Sequence, residues 1–422
     1  MENLFGLSEQ LLNLRETALK NTKEQFDKIS QITKQNQQKM LAAFIKNRVS
    51  EVSLGTSTGY GYGDAGRDTL DAILADYFGC EDALIRHNFV SGTHTLTVAL
   101  FGVLRPGDKM LVLTGTPYDT LHGVIGLNTK TPGSLADFGV IYDEVPLKNN
   151  EPDLVAIEQK LKNDNYKMAY IQRSRGYDIR PTLSVDKIGE LCRLVKNINK
   201  DTVVMVDNCY GEFTETEEPT NVGADLIAGS LIKNAGGGIA RTGGYIAGRH
   251  DLVELCAFRL TAPGLGKELG ATLGLNRELY LGLFSAPHVT GEALKTAVFA
   301  AELFCLMGYD VSPKPNDKRS DIVQIIKLDG EDELIAFCQG LQSGSPVDSY
   351  VVPEPWDMPG YDSKVIMAAG AFTGGASIEL SADAPLREPY CVYMQGGINF
   401  DSAEVGVLLA AQKLLDIKNE ER

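Results

Sequence analysis

The chain has 422 residues, 43% of them hydrophobic and 23% charged, with a formal net charge of −16. At roughly 150 residues per domain this length predicts two or three domains, large enough to hold a core without a staple of disulfide or metal. The acidic balance argues against a nucleic-acid partner and an anionic membrane surface, both of which demand a basic footprint, and the composition excludes collagenous, coiled-coil and fully disordered chains.

Residues 1–54 are expected to form a helical arm. Leu7, Leu11, Leu14 and Ala18 fall on one helical face, as do Met40, Leu41, Phe44 and Ile45. Such an arm packs on its own domain or embraces a partner subunit, and the pattern serves either. No basic start followed by an apolar run marks an export signal. The longest uncharged stretch, Asn88–Leu104, is too short and too polar to span a bilayer. Seven scattered cysteines without a C-x-x-C pair then read as reduced thiols in a cytoplasm. The five histidines show no H-x-x-x-H or H-E-x-x-H spacing, so no metal is expected.

Over residues 55–284 short apolar runs alternate with amphipathic stretches. Lys109–Thr114, Gly139–Tyr142, Met168–Ile171, Val203–Val206 and Asp225–Ala228 are expected strands, and Val185–Val195 an expected helix. Repeated strand, helix, strand means parallel strands with helical crossovers, covered on both faces. Ligands of such sheets sit at the carboxyl ends of the strands. Residues 285–422 read as a smaller α/β domain, with helices over Gly291–Met307, Glu333–Gln342 and Ala403–Ile417 and a strand over Ile322–Leu328.

Four stretches carry chemistry. In Thr58–Arg67 the glycines Gly61, Gly63 and Gly66 form a formal G-x-G-x-x-G, but no clear strand precedes it. The stretch is expected to be a mobile loop bearing Tyr60 and Tyr62, with Arg67 available to an anion. Ser91, Gly92 and Thr93 open a helix, whose free N–H groups suit a phosphate; read alone they are first of all a helix cap. Asp207 ends an apolar strand, where it serves as counter-charge to a protonated heterocyclic nitrogen or as a structural cap. Lys233 follows Ser230 and precedes the small residues Ala235–Gly238. A lysine desolvated there is a Schiff-base nucleophile; otherwise it is a surface lysine in a glycine loop.

Taken in order, Ser91-Gly92-Thr93, Tyr118, Val206-Asp207-Asn208 and Ser230-x-x-Lys233 resemble the fold-type-I pyridoxal-phosphate enzymes of Cys/Met metabolism. The closest likeness is to the cystathionine beta-lyase-like and methionine gamma-lyase-like proteins linked to aluminium resistance. There Tyr60-Gly-Tyr62, Gly66-Arg67, the Ser230–Gly238 run and Leu386-Arg387-Glu-Pro-Tyr390 look characteristic. The resemblance implies an α/β fold with a mostly parallel central sheet, helices on both faces and a smaller C-terminal α/β domain. It implies pyridoxal 5'-phosphate as cofactor, with Lys233 as its covalent anchor and carrier of the Cα proton, and Asp207 keeping the pyridine nitrogen protonated. Ser91, Gly92, Thr93 and Ser230 match the phosphate cup, and Tyr118 matches the tyrosine that stacks on the ring. Tyr62 matches a tyrosine that reaches a neighbouring subunit's phosphate, so a homodimer or homotetramer with shared sites is implied. Arg387, with Tyr60 and Arg173, is the candidate set for an amino-acid substrate. Ile232 stands where better-known members have a hydroxyl residue, and Tyr170–Arg175 replaces an Asn-Pro-rich turn. Arg67 is the stand-in for the arginine that usually accompanies the neighbour's tyrosine, and Arg175 joins Arg173 as a candidate for substrate or phosphate. The expected reaction is elimination of a sulfur group from a sulfur amino acid. The competing readings are an aminotransferase and a nucleotide-binding dehydrogenase built on Gly61–Gly66.

Overall fold

The computed structural model describes residues 3–127, 131–358 and 363–420. The chain divides into two compact units, one of residues 35–285, the other of residues 1–34 and 286–422. The stretch 1–54 is therefore no unit of its own. Its helix α1 (Glu9–Lys46) runs unbroken for 38 residues and is divided between the units. Its buried positions Leu11, Ala18, Thr22, Ile29, Asn36, Met40 and Ala43 recur on steps of three, four and seven, one stripe of the helix. Leu41 and Ile45, expected on the face of Met40, are exposed: one residue on from Met40 is a turn of about 100°.

The unit of residues 35–285 begins with α2 (Ala65–Phe78) and β1 (Asp82–Arg86). Then come α3 (Gly92–Val103), β2 (Lys109–Val112), α4 (Asp119–Ile125), β3 (Ile141–Glu144), α5 (Leu154–Asn163), β4 (Met168–Gln172) and α6 (Val185–Ile198). After β5 (Val203–Asp207), β6 (Leu226–Ser230), β7 (Gly244–Gly248) and α7 (His250–Leu260), α8 (Asn276–Leu306) leads out of the unit. The strands form one seven-stranded sheet in the order β1-β7-β6-β5-β4-β2-β3. β3, β2, β4, β5 and β6 are parallel, and β7 lies antiparallel to both β6 and β1. Every residue of β4, β5 and β6 is buried, as their nearly continuous apolar sequence requires of a sheet covered on both faces. One face of the core joins Leu96, Leu100 and Val103 of α3 and Val253 and Ala257 of α7 to Met110, Met205 and Ile246 of the sheet.

The other unit holds β8 (Asp310–Ser312), β9 (Gln324–Lys327), α9 (Glu331–Ser343), β10 (Val365–Ala368), β11 (Ser381–Pro385), β12 (Cys391–Gln395) and α10 (Phe400–Glu420). Its five strands are all antiparallel, in the order β10-β11-β12-β9-β8. Phe304, Phe337, Leu341, Val392, Val407 and Leu414 are buried in its core. Among the described residues no helix is long and apolar enough to cross a membrane.

Candidate active site

The register of the parallel strands brings the chemistry to one edge. Gln172 at the end of β4 is aligned with Asp207 at the end of β5, and Asp207 with Ala228 of β6, which ends two residues later at Ser230. Asp207 is 4% exposed. Burial pushes its carboxyl above the ordinary value, and the neighbouring Lys233 opposes that push. The Cys209 amide donates to its Oδ1 at 3.1 Å. A buried carboxylate at a strand's open end calls for a cation.

Lys233 lies three residues past β6 and is half-buried. Its Nζ stands 4.0 Å from the centre of the Tyr210 ring. Burial works against its charge, yet Cys209, Tyr210, Asp207 and Glu212 outweigh it and hold the amine above the usual lysine value. Of these, burial pushes the Cys209 thiol up and the Glu212 carboxyl up to about 8. At neutral pH both are largely protonated.

Across from this pair stands the start of α3. Ser91 caps it in extended backbone, its Oγ accepting the His94 amide at 3.0 Å. The amides of Gly92 and Thr93 have no preceding turn to bond, the usual state of a helix start. A Cβ on Gly92 would lie 3.4 Å from Cβ of Ser230 and 3.8 Å from Sγ of Cys209, so the start of α3, the end of β6 and the loop after β5 come together. Thr93 pairs through its hydroxyl with Thr120 at 2.8 Å. The Tyr118 amide donates to Oε1 of Gln172 at 2.7 Å. Because Gln172 and Asp207 share a register position, Tyr118 is held beside the strand that carries Asp207. Helix-start amides and hydroxyls together with a buried carboxyl and a lysine fit pyridoxal phosphate: phosphate, cationic ring nitrogen and aldehyde each find a partner type.

Other candidates lie elsewhere, and two arginines need correction. Arg173 is fully buried. Its guanidinium is bonded to Asn208 Oδ1 at 2.8 Å, Glu215 at 3.0 Å and the Leu183 carbonyl at 3.3 Å, with Glu218 at 3.6 Å. It is a strut between loops and does not face a substrate. Arg175 is buried too, at 1% exposure. Arg67 is 2% exposed and donates to the carbonyls of Gly61 at 2.8 Å and Gly270 at 3.0 Å. It pins the glycine loop to the segment before α8 and is not offered to an anion. Tyr60 and Tyr62, with ring centres 5.5 Å apart, are 72% and 61% exposed on that loop. What precedes the loop is a 3-10 turn, Glu51–Leu54, and β1 comes only after α2, so the strand–loop–helix context of a dinucleotide fingerprint is missing there. Arg387 is exposed on the turn between β11 and β12, in the other unit.

Sequence reasoning overlooked the polar cluster around these residues. Glu212, Glu218, Asn208, Asn234 and Tyr245 are all buried. The Tyr245 hydroxyl donates to Glu212 at 2.8 Å, and the Phe213 amide to Glu218 at 2.9 Å. A signal existed in the glycines. A Cβ on Gly229 would come within 2.5 Å of the Glu212 carboxylate, and one on Gly211 within 2.4 Å of the Arg173 side chain. Both mark places where a large polar side chain fills the room. Among the described residues no cluster of metal-ligating side chains occurs.

Comparison with known proteins bears on this geometry. The family model described as methionine gamma-lyase matches residues 11–415. A Clostridium acetobutylicum structure, described as a candidate cystathionine beta-lyase involved in aluminum resistance, is 52% identical, with a TM-score of 0.96 over 98% of this chain and 97% of its own. A carbon-sulfur lyase involved in aluminum resistance from Clostridium novyi NT is also 52% identical, with a TM-score of 0.94 over 97% and 96%. The uncharacterized protein YnbB of Bacillus subtilis is 47% identical over 92% of each chain. The fold is that of the fold-type-I pyridoxal-phosphate lyases.

Proposed function

The chain belongs to the methionine gamma-lyase family, and from that premise we propose that it is a pyridoxal-phosphate-dependent carbon–sulfur lyase. Its substrate is a sulfur-containing amino acid, from which it eliminates the sulfur group as a cystathionine beta-lyase or methionine gamma-lyase does. The observation that carries this reading is buried Asp207 within electrostatic reach of Lys233, with Gly92 at the α3 start packed against Ser230.

When bound, the cofactor supplies an electron sink for the pair left on Cα once its proton is removed. Asp207 holds a proton on the ring nitrogen. The amides of Gly92 and Thr93 and the Ser230 hydroxyl take the phosphate. Lys233 would anchor the cofactor and serve as the base that takes the Cα proton. To act so, its ammonium must give up a proton. Tyr118, steered by Gln172, covers the ring and hands a proton to the departing sulfur. Arg387 is carried forward for the substrate carboxylate on the resemblance alone. The exposed pair Tyr60 and Tyr62 supports an assembly of at least two copies, in which these rings serve a neighbour's site. The seven unpaired thiols fit a reducing, cytoplasmic setting.

Purified protein incubated with cystathionine, methionine and related amino acids should release keto acid, ammonia and thiol together. Borohydride should trap the cofactor on Lys233, read as a mass increment on its peptide. Lys233→Ala should lose that increment and slow elimination by about 10³-fold or more. Amino transfer to added keto acids without thiol release would instead indicate an aminotransferase.

A further inference from the structure

Tyr210 follows the Asp207 strand by three residues, and its backbone is unusual: φ is +70°, the left-handed region that bulky side chains avoid. Asn234, the residue next to Lys233, secures that conformation. Its Nδ2 donates to the carbonyl of Tyr210 at 2.9 Å and to that of Glu212 at 3.0 Å. Asn234 is fully buried. The clamp thus ties the lysine's own loop to the segment that presents the ring. The outcome is the contact already described, with Nζ of Lys233 4.0 Å from the ring centre. The face of an aromatic ring carries negative charge density and attracts an ammonium at this distance. The titratable neighbours of Nζ, besides Tyr210, are Asp207, Cys209 and Glu212.

We propose that Tyr210 is a positioning residue for Lys233: its ring face seats the lysine head before cofactor arrives, and Asn234 pins the ring to the lysine's loop. The consequence for catalysis, a lysine already aimed when the aldehyde enters, rests on the function proposed above. The contact between ring and ammonium does not.

The test is competitive acetylation of the full-length, cofactor-free protein over a range of pH, with Lys233 followed by mass spectrometry against exposed Lys20. Only the neutral amine reacts. A ring that stabilises the ammonium raises the midpoint of labelling, so removing the ring lowers it. Tyr210→Leu should bring the midpoint down by about one pH unit, so that labelling at a fixed pH below it rises about tenfold. Tyr210→Phe keeps an aromatic face and should keep the wild-type midpoint, a rescue that a purely structural role for the hydroxyl would not give. Should the leucine variant not fold, Tyr210→Met is read in the same way. A leucine or methionine variant that titrates like wild type overturns the proposal, as does a phenylalanine variant that moves as far as leucine. Wild-type Lys233 that labels with the midpoint of Lys20 overturns it without any variant. Labelling needs no cofactor, so its outcome is separate from the borohydride test of function.

Discussion

Asp207 ends β5 and Glu212 lies in the loop that follows; both are buried carboxyls, and their surroundings set them apart. Asp207 faces Lys233 and has its charge engaged; Glu212 accepts a hydrogen bond from the Tyr245 hydroxyl, and burial lifts it from 4.5 to about 8. Between those two values the folded chain holds a proton on Glu212 that the unfolded chain has released. Folded stability therefore falls as pH rises through this window, by at most about 1.4 kcal/mol per pH unit from this one group. Glu212→Gln cannot ionise and should remove that slope. Denaturant unfolding of both proteins at the two ends of the window should show the variant gaining on wild type as pH rises; an equal difference at both ends would refute the assignment. Arginines taught the reverse lesson. Arg67 and Arg173 look like anion-binding candidates in the sequence, yet carbonyls and carboxylates of distant segments consume them.

At the scale of elements, the helix start of α3 is where local sequence and the proposed function meet. Ser91 is an ordinary cap, and Gly92 is needed less for backbone freedom than for the space in front of Ser230. Gly92→Ala should fold, because the added Cβ meets Ser230 at an ordinary contact distance of 3.4 Å. On the proposed function it should weaken pyridoxal phosphate binding about tenfold or more, by crowding the amides proposed to take the phosphate; displacing one charged hydrogen bond is worth that much. Titration of the cofactor-free protein, followed by absorbance, measures it, and unchanged affinity would remove the phosphate from this helix start. The strands β2, β4, β5 and β6 were readable as apolar runs because both sheet faces bury them. β1 (Asp-Ala-Leu-Ile-Arg) and β7 (Gly-Tyr-Ile-Ala-Gly) are as long but bounded by charge or glycine, which interrupts the apolar run; β7's pairing with both β6 and β1 makes them strands. The helix expected from Gly291 starts instead at Asn276 and carries Pro287 inside it, a residue that a local rule treats as a stop.

For the molecule as a whole, a group that binds only the folded chain stabilises it by mass action. Pyridoxal phosphate at about one hundred times its dissociation constant should add about 2.7 kcal/mol. Hydrogen exchange should then slow at residues 89–93, 207–212 and 230–234, which the fold gathers from separate strand ends. Protection absent from all three segments would contradict the site. Residue order alone was enough for the parallel α/β class and for singling out Lys233, Asp207 and the helix start at Ser91 as the residues on which the proposed site rests. Those features are local: an apolar run, an acid at its end, a glycine after a serine. Which arginines stay available, where Glu212 hides, how α1 is divided between two units and what seats the Lys233 ammonium emerged only on folding. Each depends on a partner tens to hundreds of residues away, and a charge has no assigned role until the chain has chosen its neighbours.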